Sequence, residues 1–110
     1  MTAPSALHTL AESLGVVGAR RFLVAAQPLI HQARHDLLAC LREQDWKAAA
    51  AIAHRLKATA HLYGSPTLQD YITAILAKDS SQLQQQVFQN GLEAEFQHVE
   101  NAIAIWLNNK

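Results

Sequence analysis

Cysteine is almost missing from this chain: Cys40 stands alone in 110 residues, so no disulfide can form within it. That usage suits a reducing compartment. Excess charge of one sign is missing too. Nine basic residues balance nine acidic ones. Nucleic-acid binding needs a basic face, and adhesion to an anionic membrane surface needs clustered cations, so neither is expected. Long apolar runs are absent. A stretch such as Ala48–Ala53 falls far short of the roughly 20 residues that span a bilayer. The first residues, Met1-Thr-Ala-Pro-Ser, offer neither a basic start nor an apolar core, and no signal peptide is expected. Glycine is scarce and nowhere forms a phosphate-cradling loop, so no ATP site and no autokinase activity are expected. No strand pattern, low-complexity tract or internal repeat appears.

What the chain does have is alanine, leucine and three-and-four spacing, in a length that suits a single domain over 1–110. A short first helix is expected over 4–14, with Ser5 as N-cap, and Gly15 and Gly18 mark the break after it. A long helix over 19–43 places Phe22, Ala26, Leu29, Ala33, Leu37, Cys40 and Leu41 on its stripe. Pro28 lies inside it and predicts a kink, or two helices meeting at Gln27. Asp45 reads as the N-cap of a third helix running to Tyr63. Gly64-Ser65-Pro66 stops that helix and starts another over 66–78, with Ser65 as cap and Pro66 at its first position. Its buried residues are expected to be Leu68, Ile72, Ile75 and Leu76. Asp79-Ser80-Ser81 opens a last helix, about 81–108, striped by Phe88, Leu92, Phe96, Val99, Ile103 and Trp106. Gly91 inside it costs about 1 kcal/mol relative to alanine. The expected fold is all-α: an antiparallel up-down-up-down four-helix bundle with a short N-terminal capping helix.

The most informative stretch is Ala53-His54-Arg55-Leu56-Lys57. At roughly 100° per residue, Ala49, Ala53, Leu56, Ala60 and Tyr63 share one face, with Ile52 at its edge. His54 points the opposite way, beside Lys47, Ala50, Lys57, Ala58 and His61. A histidine on a solvated face is by itself an ordinary surface residue. Here small side chains surround it, and Lys57 follows one turn on. An imidazole nitrogen is a competent nucleophile near neutral pH.

These residues, with Gly64 ten positions after His54 and Leu68 beyond it, resemble the histidine-containing phosphotransfer (HPt) domain of multistep two-component phosphorelays. The specific part of the resemblance is the segment from Ala53 to Leu68. It implies a four-helix bundle that carries a phosphoryl group on His54, with Lys57 steadying the phosphoryl charge. Ala50, Ala58, His61 and Gly64 would then line the partner-binding surface. The implied partners are receiver domains of response regulators or hybrid sensor kinases, which bring the Mg²⁺; this chain needs no cofactor. A cytoplasmic location is expected from the lone cysteine, and a monomer from a shielded bundle of zero net charge; the chain is expected to be either free or the C-terminal domain of a membrane-bound hybrid sensor kinase.

Two positions depart from the family pattern. Ala58 stands where the family usually has glycine, and Leu76 is followed by Ala77 rather than an acid. His61 shares the face of His54, roughly 20° away, but the motif places the acceptor before the Leu-Lys pair. Arg55 follows the histidine where a kinase dimerisation helix has an acid. His31 and His35, spaced i, i+4, could pinch a metal ion, but zinc wants three or four ligands and no metal site is expected. The alternative reading is a helical interaction module without phosphotransfer.

Overall fold

The computed structural model describes residues 6–63 and 65–108, and all regular structure among them is helical. The elements are α1 (Ala6–Arg42), α2 (Trp46–Ala60), α3 (Pro66–Leu76), α4 (Ser80–Leu83) and α5 (Gln86–Asn108). α1 packs against both α5 and α2, α2 against α3, and α3 against α5. No described helix is long and apolar enough to cross a membrane.

α1 contains one break, at Gly15, where φ is 77° and ψ 160°. Only glycine adopts that conformation cheaply. The arm before it turns Leu7 and Leu10 into the core. After the break the helix runs through Pro28 with helical dihedrals, so it does not divide at Gln27. Proline frees the carbonyl of Val24, and that residue lies on the exposed side, where water can serve the orphan acceptor. The arm of 27 residues after Gly15 is about 40 Å long at 1.5 Å per residue, which accounts for the 41 Å long axis of the molecule.

The buried face of α1 is not the expected one. Ala19, Leu23, Ala26, Ile30, Leu37 and Leu41 are buried, and Leu38 joins them. Leu29, expected on the stripe, is 70% exposed. The physical reason is that α1 serves two neighbours. Packing against α5 rotates the buried arc toward Leu23 and Ile30 and leaves Leu29 outside.

The turn from α1 to α2 is a Schellman motif. Gln44 takes φ 60°. Its N–H donates to the carbonyl of Leu41 at 3.2 Å, and that of Asp45 donates to Cys40 at 2.9 Å. Ser65 caps α3 as expected: its Oγ accepts from the N–H of Leu68 at 2.9 Å and donates to Glu95 Oε2 at 2.5 Å. Leu68, Ile72 and Ile75 are buried, while Leu76 is only half-buried.

The expected single helix over 81–108 is in fact two. α4 ends at Leu83, and α5 begins at Gln86. Leu83 is fully buried. The buried Gln89 amide donates to the carbonyl of Leu83 at 3.2 Å and to that of Leu41 at 3.4 Å. One side chain thus serves the ends of two helices, and the exchange stabilises the break. At the far end Leu107 is buried, while Trp106 is half-buried. The Leu107 carbonyl accepts from Arg20 at 2.7 Å.

Gly91 has a reason in packing. A Cβ there would overlap Tyr71 Oη, whose ring meets Phe88 edge-on at 5.2 Å.

Candidate functional site

α2 positions the candidate site. Asp45 begins it: its Oδ1 accepts from the N–H of Ala48 at 3.1 Å. That bond fixes the first turn and so the rotational phase of all that follows. Ala49, Ile52, Ala53, Leu56 and Ala60 are buried, as the wheel requires. The helix ends at Ala60, and residues 61–63 form a tighter turn. There Leu62 N–H donates to Thr59 at 2.9 Å and Tyr63 N–H to Ala60 at 3.1 Å. Tyr63 is buried, stacks on Phe22 at 6.3 Å and donates from its hydroxyl to Thr59 Oγ1 at 2.9 Å. That end of the helix is therefore anchored to α1.

With this phase, His54 is exposed near the middle of α2. Lys57, Ala58 and His61 are exposed as well, and so is Lys47. Among the described residues, no hydrogen bond or ion pair engages the His54 ring or the Lys57 ammonium. The site is thus an open imidazole with a cation one turn on and a methyl-sized neighbour at Ala58. No bulky apolar side chain of α2 stands over the ring. Such a surface can admit a second backbone and leave a ring nitrogen reachable.

One expected member of this face is misplaced. Ala50 is 7% exposed and belongs to the buried side of α2. Packing against α3 as well as α1 widens the buried arc, and alanine, with its single methyl, goes either way at little cost. Ala51 and Arg55 are exposed instead. They are the neighbours that the wheel overlooked, because a run of four alanines carries almost no amphipathic signal. Gly64 lies outside the described residues.

Between α1 and α2, beside this face, runs an apolar groove of about 460 Å³. Phe22, Leu29, Ile52, Leu56 and Tyr63 line it, with Asp36 and Arg55 as its charged members. Leu29, displaced from the expected core stripe, is part of this groove.

The other titratable groups lie elsewhere. His31 Nδ1 is 3.2 Å from Glu100 Oε1, and Arg34 is 3.2 Å from the other oxygen of that carboxylate. The pair joins α1 to α5. His35 is exposed. Among the described residues no three histidine, cysteine or acidic side chains converge on a metal-sized space. Cys40 is half-buried, and burial raises its thiol pKa, with Asp45, Glu43 and Asp36 adding to the rise. Asp79 is held below the usual carboxylate range, chiefly by the hydrogen bond from the Ser81 hydroxyl.

Comparison of the chain with protein-family models, with characterised proteins and with solved structures gave no match.

Proposed function

We propose that this chain is a phosphorelay intermediate. It accepts a phosphoryl group from the aspartyl phosphate of one receiver domain onto His54, then passes it to an aspartate of another. The helices would form an antiparallel up-down-up-down bundle, with the arm before Gly15 as its cap. The supporting observation is the placement of His54: exposed at mid-helix, with Lys57 on the same side and alanine four residues on.

In the forward step a ring nitrogen of His54 attacks phosphorus. The N–P bond forms, and the P–O bond to the aspartate breaks. The carboxylate leaves with that electron pair. The second step is the reverse, toward a different aspartate. Lys57 meets the phosphoryl oxygens as a point charge. The Mg²⁺ and the remaining catalytic groups belong to the partner. Preorganisation is this chain's contribution, since a capped helix holds the nucleophile in one direction.

The test is incubation with a panel of phosphorylated receiver domains. The chain should acquire an acid-labile, base-stable phosphate. His54→Gln should abolish the label, and normal labelling of that variant would end the proposal. Lys57→Ala should slow transfer about fivefold, the effect of an exposed charge contact of about 1 kcal/mol.

A non-catalytic interaction module is the second reading. The groove between α1 and α2 supports it, because binding there needs no imidazole. Receiver binding that survives His54→Ala, with no label on the native chain, would select it.

A further inference from the structure

Two histidines stand outside the proposed phosphotransfer site. His31 and His35 lie one turn apart on α1, and both are exposed. That spacing puts their Cβ atoms about 6 Å apart on one face, as in helices whose paired histidines share a zinc ion. No third histidine, cysteine or acid converges on them among the described residues. Spacing alone would leave them an idle pair.

Glu100 supplies a second observation. Its Oε2 is buried and faces Arg34 Nη1 at 3.2 Å, which anchors the carboxylate. Its Oε1 lies 3.2 Å from His31 Nδ1. A histidine that ligates a metal through one nitrogen commonly donates from the other to a carboxylate, which fixes the ring and its tautomer. Here that carboxylate reaches in from α5, while 62% of the His31 side chain stays in solvent. The same Nδ1 lies 3.3 Å from Arg34 Nη2. It can donate to Glu100 or accept from Arg34, but one nitrogen cannot do both. Donation to Glu100 leaves the ring's lone pair on Nε2. Arg34 keeps the other carboxylate oxygen in that state, so little is given up. Among the described residues no hydrogen bond or ion pair engages the His35 ring.

We infer that His31 and His35 chelate one divalent ion of the zinc, nickel and copper group, with water completing its shell. His31 binds through Nε2, and Glu100 is its positioning residue. Imidazole nitrogen suits those ions, whereas magnesium and calcium take oxygen. Two protein ligands make an exchangeable site, unlike the three- or four-ligand sites of catalytic and structural zinc. The site belongs to α1 and α5, so its failure and the failure of the His54 chemistry are separate results.

The experiment titrates the isotope-labelled full chain with zinc chloride, following histidine ring nitrogens by NMR and affinity by calorimetry. One zinc per chain should bind and move the His31 and His35 rings, with His31 Nδ1 still protonated. Copper should bind tighter than zinc, and magnesium at the same concentration should move neither ring. His31→Gln and His35→Gln should each lower zinc affinity at least about tenfold, and so should Glu100→Ala, which releases Nδ1 to Arg34. Arg34→Met should instead bind up to about fivefold tighter, because it removes the competing donor and a nearby cation. A merely structural role for the Glu100–Arg34 pair would weaken binding in both variants. All are measured below their melting temperatures, and His54→Gln should bind zinc as the native chain does. Ring shifts centred on other histidines, unchanged affinity in either His31→Gln or His35→Gln, weakening by both Glu100→Ala and Arg34→Met, or no ring shifts at about 1 mM zinc would overturn the inference.

Discussion

Residues 50 and 58 lie four positions either side of His54, both are alanine, and the structure gives them opposite fates. Ala50 is 7% exposed and Ala58 is on the surface. Replacing each with leucine separates packing from docking. At position 58 the added carbons enter solvent, so stability should move by no more than about 0.5 kcal/mol. At position 50 they enter a filled arc between α2 and its neighbours, and overpacking costs about 1–3 kcal/mol. For a chain of this size that lowers the melting temperature by roughly 5–20 °C. Leucine and alanine are both good helix formers, so propensity does not blur the comparison. Thermal and urea unfolding followed by circular dichroism reads the stability. The phosphotransfer assay reads the site: Ala58→Leu should slow transfer in a fully stable protein, because it crowds the approach to His54. Ala50→Leu, measured well below its melting temperature, should slow it less. Should Ala50→Leu prove as stable as the native chain, the placement of that residue and the rotational phase of α2 drawn from it are both wrong.

Three further outcomes are expected. Gly91→Ala should destabilise despite its better helix propensity, because the new methyl overlaps Tyr71 Oη; in a Tyr71→Phe background the loss should be smaller, since the nearest atom is then the ring carbon at 3.2 Å. Equal effects in both backgrounds, measured by urea unfolding, would refute the contact. Gln44→Gly should raise stability by about 0.5–1 kcal/mol, since a side chain at φ 60° is strained where glycine is not. Cys40 should react with iodoacetamide more slowly than a free thiol at neutral pH. The rate should keep climbing above the usual thiol range, because its raised pKa withholds the thiolate until higher pH; a rate that levels off early would contradict the burial.

Much of this architecture is readable before any coordinates. The N-caps at Asp45 and Ser65, the break at Gly15 and the outward direction of His54 are local matters. Each depends on a side chain reaching a backbone group three residues away, on glycine's freedom, or on helical periodicity. The core of α5 is legible for the same reason: Phe88, Leu92, Phe96, Val99 and Ile103 are large, and they sit among polar residues. What misleads is apolar richness. On α1 both Leu29 and Ile30 fit a three-and-four stripe, and on α2 four successive alanines fit any.

The linear code by itself therefore settled that the chain is helical, where most helices begin, and that His54 leaves the buried face of its own helix. Those outcomes involve groups within a turn or two of one another. Only the tertiary structure decided that Leu29 opens onto a groove, that Ala50 goes inside, and that the last helical segment breaks before Gln86. In each case the deciding contact is with a residue far along the chain: α5 against α1, α3 against α2, and the Gln89 amide reaching Leu41. A helix wheel knows one neighbour at most, whereas burial in a packed domain is set by how many helices surround each one.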